Sequence, residues 1–280
     1  MIDTPKLMKS KILKIVLLIP PILFIVFYLL GAYMVKTDGR SVEPLKTSPT
    51  NPIDIAIFGA SGTAGDGILK AALASADIGI IQVVTRRVTP RMEEGVKAGK
   101  ILLTIHKDYL DYTAVINQLS HIDTVFWAIG ISALGIDEKT YGMIHVDFPM
   151  HFVNAWDEAN ESNKLSFHFI SSSDIAEDST QMWVQQKIRA EKQLFSFGKK
   201  SNMRVIAYRP DYIGATEEQS GLRQNMLYGF FAPVGAAIRA SEIGQVMLEV
   251  TARGDEFNNG ATLSTGKMRR YSDAYEARQR

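Results

Sequence analysis

The sequence predicts an α/β fold, with a doubly wound parallel sheet preceded by one transmembrane helix, on the basis of three observations. Short apolar segments alternate with segments of helical periodicity through most of the 280 residues, as in domains whose parallel strands are joined by helices. The first apolar segment of the globular part runs directly into a glycine-rich turn. A long uncharged apolar segment lies near the amino terminus.

Residues 15–35 form this uncharged segment, and basic residues flank it on both sides. A helix of this length covers the bilayer's hydrocarbon layer of about 30 Å. A cleaved signal peptide is the alternative, but its apolar region is normally only about 7–15 residues long. We therefore predict a basic tail over residues 1–14, a transmembrane helix in contact with membrane lipid over residues 15–35, and a polar linker over residues 36–52.

The composition argues against several classes of site. Residues 53–280 hold 24 of the 31 basic and 27 of the 30 acidic side chains, so this part lacks the basic excess that nucleic-acid binding requires. The absence of cysteine excludes disulfides and thiolate metal sites, and it fits a reducing compartment. No metal site is predicted, because the histidines have no metal-ligand spacing: His106, His121, His145, His151 and His168.

Residues 53–280 are predicted to form one α/β domain with a small carboxyl-terminal substrate lobe. Apolar segments predict strands over residues 53–58, 79–85, 100–105, 124–128, 166–170, 204–209 and 262–264. Helical spacing predicts helices over residues 65–76, 111–119, 147–161, 181–197 and 241–253. Repeated strand–helix units imply a parallel sheet with helices on both faces, and ligands then bind beyond the carboxyl ends of the strands.

The nonapeptide over residues 57–65, IFGASGTAG, is the most informative motif. Its glycines allow the backbone to turn sharply and to approach a pyrophosphate closely. Amides at the start of the next helix then face the anion, with the positive end of the helix dipole behind them. The motif predicts a Rossmann-type dinucleotide site, against the alternative of a tight strand-to-helix turn. It assigns six residues to the cofactor: Gly59, Ser61, Gly62, Thr63, Ala64 and Gly65.

This cofactor also bears on the orientation in the membrane. Four lysines precede the apolar segment and three basic residues follow it, a small difference that favours a domain outside the cytoplasm. A nucleotide-binding domain, however, needs a compartment that contains the nucleotide. We give this second argument more weight and expect a single-pass protein with its globular domain on the cytoplasmic (or matrix) face.

Five segments fall in the order seen in a known family: IFGASGTAG, TRR, VFWAIG, FISSS and YRPDYIG. Over residues 53–214 the chain resembles the atypical short-chain dehydrogenase/reductases, nearest their Tat-interacting-protein-like, NADPH-binding branch. The resemblance implies that Arg86 and Arg87 bind the 2′-phosphate of NADP(H), so that NAD(H) is the less favoured cofactor. The alternative is that both are solvated surface arginines. It also implies that Asp108 lies near the adenine, and that Ala128 and Gly130 line the cofactor through their backbone.

The catalytic residues are where the chain departs from this family. The family pattern is a serine followed by Tyr-x-x-x-Lys, and the resemblance places Ser172, within the run of residues 171–173, and Lys187 in those roles, with Lys187 also binding the nicotinamide ribose. Trp183 occupies the tyrosine position. An indole N–H donates a hydrogen bond but is no acid or base near neutral pH. Trp183 could be a core residue or could pack beside the nicotinamide, and Lys187 could only cover the surface. Tyr141 or Tyr212 could replace the tyrosine, although the spacing supports neither.

Residues 216–238 are apolar and aromatic, and could cover a hydrophobic substrate, contact the bilayer, bind a membrane-protein partner or simply pack in the lobe. The leading hypothesis is a membrane-anchored NADP(H)-binding protein with weak or no classical reductase activity that acts as a sensor, scaffold or complex subunit. The alternative is an NADPH-dependent oxidoreductase acting on an apolar, lipid-like carbonyl or quinone substrate. An isomerase that uses the nucleotide without net turnover is a third reading, for which the sequence contains no specific support.

Overall fold

The structure is a computed structural model that describes residues 4–46, 51–162, 164–173 and 175–280. Its centre is a seven-stranded parallel sheet with the order β3-β2-β1-β4-β5-β6-β9, and a separate parallel pair joins β7 to β8. The strands are β1 Ile53–Phe58, β2 Ile78–Thr85, β3 Ile101–Ile105, β4 Thr124–Trp127, β5 Ser166–Ile170, β6 Arg204–Arg209, β7 Tyr212–Gly214, β8 Ala237–Arg239 and β9 Ala261–Ser264.

Helices cover both faces of this sheet, as the alternation of elements predicts. One core lies between the sheet and α2, α3, α8 and α9, and the other between the sheet and α5 and α6. The helices are α1 Thr4–Lys36, α2 Thr63–Ala74, α3 Pro90–Lys97, α4 Glu138–Gly142, α5 Phe148–Ala159, α6 Met182–Ser201, α7 Leu222–Phe231, α8 Ala240–Ala252 and α9 Thr265–Gln279.

The strand order reverses direction between β1 and β4. From β1 the chain first moves outward through β2 to β3, and it then returns to the other side of β1 to form β4. In open α/β sheets such a reversal leaves a crevice at the carboxyl ends of the two strands, where ligands bind. The predicted fold class is therefore confirmed, and the glycine-rich turn lies at this crevice.

Two predicted helices need correction. The predicted helix over residues 111–119 is wrong: that segment contains only a short 3₁₀ turn, Ile116–Gln118. The Asp111 carboxylate accepts the amide of Thr113 at 2.9 Å, and this local hydrogen bond competes with helix formation. The predicted helix over residues 147–161 begins at Phe148, after α4 and a π-helical turn, Met143–Asp147.

Helices α3 and α9 were not predicted from the sequence. Helix α3 buries only Met92 and Gly95, and α9 buries Thr265, Met268, Ser272, Ala274 and Tyr275. Neither set contains the run of large apolar residues by which helical periodicity is recognised.

Helix α1 extends beyond the predicted transmembrane segment. It begins at Thr4, so that most of the predicted basic tail continues the helix, whereas residues 1–3 lie outside the described residues. The part from Leu17 to Lys36 is long and apolar enough to cross a membrane, and its side chains are largely exposed. Two contacts fasten the first half of the predicted linker to the domain: Asp38 pairs with Arg270 at 2.8 Å, and Arg253 donates to the Glu43 carbonyl at 2.6 Å. Residues 47–50 of the linker lie outside the described residues.

Candidate functional site

The glycine-rich turn joins β1 to α2 with no room for side chains. Gly59 has a φ of +80°, and a Cβ built on it would lie 2.6 Å from the main chain of Ala128 after β4. A Cβ on Gly65 would lie 2.1 Å from the Gly59 carbonyl oxygen. The first glycine is therefore required by its backbone conformation and by the neighbouring strand, and the third by the packing of α2 onto the turn.

Helix α2 begins at Thr63, two residues earlier than predicted, with Gly62 as its N-cap. The amides of Thr63 and Ala64 therefore belong to the first turn, where no preceding helical carbonyl can accept them. Gly62 and Thr63 are exposed, and Ser61 and Ala64 are half-buried. These four predicted cofactor residues form an accessible helix amino terminus of the kind that binds phosphate groups.

A buried carboxylate that the sequence analysis missed lies in the same helical turn. Asp66 forms an ion pair with Arg91 of α3 at 2.8 Å and accepts the Thr216 hydroxyl at 2.6 Å. Glu218 also pairs with Arg91, at 3.3 Å, and with Lys70, at 2.8 Å. Because Arg91 balances the charge of Asp66, the carboxylate repels an anion at this helix terminus less strongly.

Arg86 and Arg87 follow β2, at the same sheet edge as the glycine turn, and both side chains are exposed. The Thr85 hydroxyl shapes the bend that carries them: it donates to the Arg87 carbonyl at 2.8 Å and accepts the Arg87 amide at 3.2 Å. The Arg86 guanidinium lies 5.9 Å from the ring centroid of Tyr109. Both side chains are therefore available to an anion beyond the end of β2.

The other predicted cofactor residues lie in the loops that follow β3 and β4. Asp108 is exposed, and its carboxylate accepts the Leu110 amide at 3.0 Å, which gives it a role in shaping its own turn. The Ala128 amide donates to the Phe58 carbonyl at 2.9 Å. Gly130 is exposed, and a Cβ on it would lie 2.9 Å from the ring of His145.

Lys187 and the serines after β5 lie at the carboxyl edge of the sheet. The Lys187 ammonium is buried, donates to the Ile170 carbonyl at 3.3 Å and lies 5.4 Å from the ring centroid of Phe169. Burial lowers the pKa of Lys187 to about 8. Ser172, predicted to be catalytic, is half-buried, whereas the neighbouring Ser171 is buried and its hydroxyl has no hydrogen-bond partner among the described residues.

Trp183 is half-exposed on α6, and its indole N–H donates to the side chain of Gln181 at 2.6 Å. It lines an open pocket of about 500 Å³ together with Tyr141 and the loop of residues 131–134. The structure therefore places Trp183 at a pocket wall rather than in the core. The alternative tyrosine, Tyr212, instead donates a 3.4 Å hydrogen bond to the Gln224 carbonyl beneath α7.

Tyr141 lines this pocket, and the buried His145 packs against the ring of Tyr141. The sequence analysis considered Tyr141 as a possible substitute for the family tyrosine, and His145 only as a histidine without metal-ligand spacing. Their ring centroids are 4.1 Å apart, and burial raises the pKa of Tyr141 to about 12. Burial, together with the charge of Lys187, lowers the pKa of His145 to about 3, so that its ring is neutral. The ring lies within hydrogen-bond distance of the Ile131 main chain. This contact of His145 with Ile131 brings the π-helical turn Met143–Asp147 against the loop after β4, and no local sequence pattern signals it.

A larger cavity, of about 1010 Å³, lies elsewhere, at the amino ends of β5 and β6 beside Leu165, Met203 and Arg204. Ligands of this sheet type bind at the opposite edge, where the glycine turn, Lys187 and Trp183 lie. We therefore place the candidate site at the carboxyl edge.

Neither a protein-family model nor a curated protein sequence matches the chain. Solved structures do match. An oxidoreductase of the short-chain dehydrogenase/reductase family from Burkholderia thailandensis has a TM-score of 0.62 at 16% identity over 77% of this chain and 92% of its own. A 3-oxoacyl-[acyl-carrier protein] reductase from Brucella melitensis has a TM-score of 0.60 at 17% identity over 78% and 96%.

A more distant match is the UDP-glucuronic acid 4-epimerase from Bacillus cereus in complex with NAD, with a TM-score of 0.58 at 13% identity over 76% of this chain and 78% of that one. At these identities the similarity concerns the fold. The chain has the Rossmann-type α/β fold of the short-chain dehydrogenase/reductases.

Proposed function

We propose that this chain is a membrane-anchored protein that binds NADP(H) in preference to NAD(H), has weak or no classical reductase activity, and acts as a sensor, scaffold or complex subunit. The observation that carries the proposal is the backbone of the glycine turn. A side chain at position 59 or 65 would clash with neighbouring main chain, and the first backbone amides of α2 are accessible. A pyrophosphate is the ligand that suits this arrangement. The NAD bound by the epimerase of the same fold supports this proposal.

The preference for NADP(H) rests on Arg86 and Arg87. Both are exposed where an NAD-binding site would offer a carboxylate to the ribose hydroxyls. Guanidinium groups instead bind a 2′-phosphate through paired hydrogen bonds. The cofactor, when bound, supplies a hydride donor or acceptor, and this chain's residues position it: the turn holds the pyrophosphate and Lys187 the nicotinamide ribose.

Weak reductase activity follows from Trp183. Its indole N–H already donates to Gln181, and an indole is neither acid nor base near neutral pH. The tyrosine of the family pattern, which supplies the proton in carbonyl reduction, therefore has no equivalent at this position of α6.

The proposed membrane anchor is α1, whose exposed apolar part, Leu17–Lys36, is long enough to cross a bilayer. The need for a nucleotide places the domain on the cytoplasmic (or matrix) face. A membrane-protein partner would suit a scaffold or subunit role.

A second candidate is an NADPH-dependent oxidoreductase that acts on an apolar, lipid-like carbonyl or quinone. The observation that favours it is Tyr141, which lines the same pocket as Trp183 and could supply a proton there.

Binding and turnover assays on the full-length protein in lipid nanodiscs test these functions. We expect calorimetry to register NADPH binding, and we expect no turnover with a panel of quinones, aldehydes and isoprenoid ketones. Trp183→Tyr should then introduce reductase activity, with Trp183→Phe as the matched control that stays inactive. Turnover by the unaltered protein that is lost in Tyr141→Phe would support the second candidate, and the absence of binding to either coenzyme would contradict both.

A further inference from the structure

Helix α7, which follows β6 and the short strand β7, exposes a row of large apolar side chains. Leu222 is 80% exposed, Met226 68% and Phe230 44%. These residues are four apart, so they lie along one face of the helix. Residues 224–238 contain no charged side chain. An exposed row of this kind on a chain otherwise rich in charge marks a contact surface. We call these three residues the α7 stripe.

The other side of α7 is fixed to the domain by polar and aromatic contacts. The Tyr212 hydroxyl donates to the Gln224 carbonyl at 3.4 Å, and the ring of Tyr228 packs against Gly214. The Arg239 guanidinium lies 3.7 Å from the centroid of the Tyr228 ring. The helix therefore has a defined orientation, with its polar contacts inward and the stripe outward.

The α7 stripe is continuous with the apolar surface of α1. The Tyr28 hydroxyl donates to the Phe230 carbonyl at 2.8 Å, and the ring centroids of Phe24 and Tyr28 lie 6.3 and 5.3 Å from that of Phe230. The 3₁₀ turn that follows α7 packs on the same helix, since a Cβ on Gly31 would lie 3.5 Å from Val234. One apolar surface thus runs from α1 onto α7.

The position of these contacts along α1 indicates how deep in the bilayer α7 would lie. Tyr28 precedes Lys36, the last residue of the apolar span, by eight residues, which is about 12 Å along a helix. If α1 crosses the bilayer, a residue that contacts Tyr28 lies well inside the hydrocarbon layer of about 30 Å.

Basic side chains occur where the lipid headgroups would then begin. Arg270 pairs with Asp38 just beyond the end of α1, at 2.8 Å, and Arg269 donates to the Ala232 carbonyl at 3.3 Å. Guanidinium groups at this level suit the phosphates of a membrane interface.

We propose that α7 lies within one leaflet, with Leu222, Met226 and Phe230 in contact with lipid acyl chains, so that the domain is held in the membrane by α7 as well as by α1. The inference rests on the anchoring part of the proposed function. The occupant of the stripe is lipid rather than a second copy or another protein, because the stripe continues the surface of a helix that itself faces lipid. The polar inner side of α7 meets the domain, as the headgroup side of an interfacial helix meets water.

Depth measurements with fluorescent labels test this arrangement. The chain contains no cysteine, so Leu222→Cys or Met226→Cys in the full-length protein takes a single environment-sensitive fluorophore. Val26→Cys, within α1, is the reference for the anchor, and Val96→Cys, exposed on α3, is the reference for water. The labelled proteins are reconstituted in phosphatidylcholine vesicles that carry either acyl-chain nitroxides or external iodide as quencher.

We expect the labels at positions 222 and 226 to lose fluorescence to the acyl-chain nitroxides as strongly as the label at position 26, and to resist iodide, to which the label at position 96 is sensitive. Quenching by iodide at 222 and 226 with lipid quenching at 26 would overturn the insertion of α7 while leaving the anchor intact. Protection from both quenchers would mean that protein covers the α7 stripe, and this result would also overturn the insertion of α7 into lipid. Loss of lipid quenching at position 26 as well would refute the anchor itself.

Discussion

At the scale of single residues, the burial of Lys187 makes its charge sensitive to pH. Burial disfavours the ammonium form and lowers the pKa of Lys187 from 10.5 to about 8. In the proposed site, the ammonium at the Ile170 carbonyl is the stronger donor to a ribose hydroxyl. Loss of the proton above pH 8 removes the positive charge and one of three N–H groups, which weakens hydrogen bonding at the nicotinamide end of the proposed cofactor site.

We expect the affinity for NADPH to fall as the pH rises through about 8, by at most about tenfold per pH unit since one proton is involved. Below this range the lysine is charged in the free protein and the affinity should not depend on its titration. Lys187→Gln should bind more weakly and lose this step, which calorimetry at pH 7, 8, 9 and 9.5 would reveal. An equal fall in NADPH affinity near pH 8 in Lys187→Gln would show that another group causes the pH dependence.

Arg87 should discriminate between the two coenzymes. Replacing it with glutamate removes a charge-assisted hydrogen bond to the 2′-phosphate, worth about 1.5–3 kcal/mol, or roughly ten- to a hundredfold in affinity. NADH has no 2′-phosphate, so its affinity should change only a few-fold. Titrations of both coenzymes into Arg87→Glu and Arg87→Lys measure the difference, and equal losses for both would contradict the assignment.

At the scale of elements, the turn between β1 and α2 depends on a glycine at position 65. Gly65→Ala places a Cβ 2.1 Å from the Gly59 oxygen, so the first turn of α2 must move, together with the amides proposed to bind phosphate. We expect the affinity for either coenzyme to fall by at least about tenfold, the cost of roughly 1.4 kcal/mol of misplaced hydrogen bonding. Gly266→Ala, where a Cβ meets no atom within 4 Å, is the matched control and should bind normally. Unchanged affinity in Gly65→Ala would argue against this turn as the phosphate site.

The sequence predicts some elements better than others, because some depend on patterns of neighbouring residues and others on contacts between residues far apart in the chain. Strands β1, β5 and β6 were predicted with the observed bounds, since central parallel strands are buried on both faces and their apolar runs end at turns. The glycine turn is likewise a local motif. The contact of His145 with the Ile131 main chain and the pairing of Asp66 with Arg91 join residues 14 and 25 positions apart, and no local pattern reports such contacts.

At the scale of the whole molecule, a network of buried charges connects the amino-terminal linker to the last helix. Arg253 donates to the Glu43 carbonyl of the linker and pairs with Glu249 of α8 at 2.8 Å. Glu249 also pairs with Arg278 of α9 at 3.1 Å, and Arg278 pairs with Asp77, before β2, at 2.7 Å. The linker, α8, α9 and the edge of the sheet are thus joined through side chains that are almost fully buried.

This network predicts an unusual dependence of the domain's stability on the end of the chain. The side chain of Arg278 is 2% exposed and that of Glu249 is 0% exposed. Arg278→Ala therefore removes the arginine that pairs with Asp77 and one of the two arginines that pair with Glu249, in a region of low dielectric. Removal of one member of a buried ion pair costs about 3–5 kcal/mol. Arg280→Ala, at an exposed position two residues later, should leave the free energy of unfolding almost unchanged.

The fluorescence of the buried Trp127 and Trp156 follows the urea-induced unfolding of the full-length protein in detergent. Similar midpoints for the two variants would show that α9 does not stabilise the sheet through this network. A loss confined to Arg278→Ala would show that Arg278 helps to hold together the fold that carries the proposed nucleotide site.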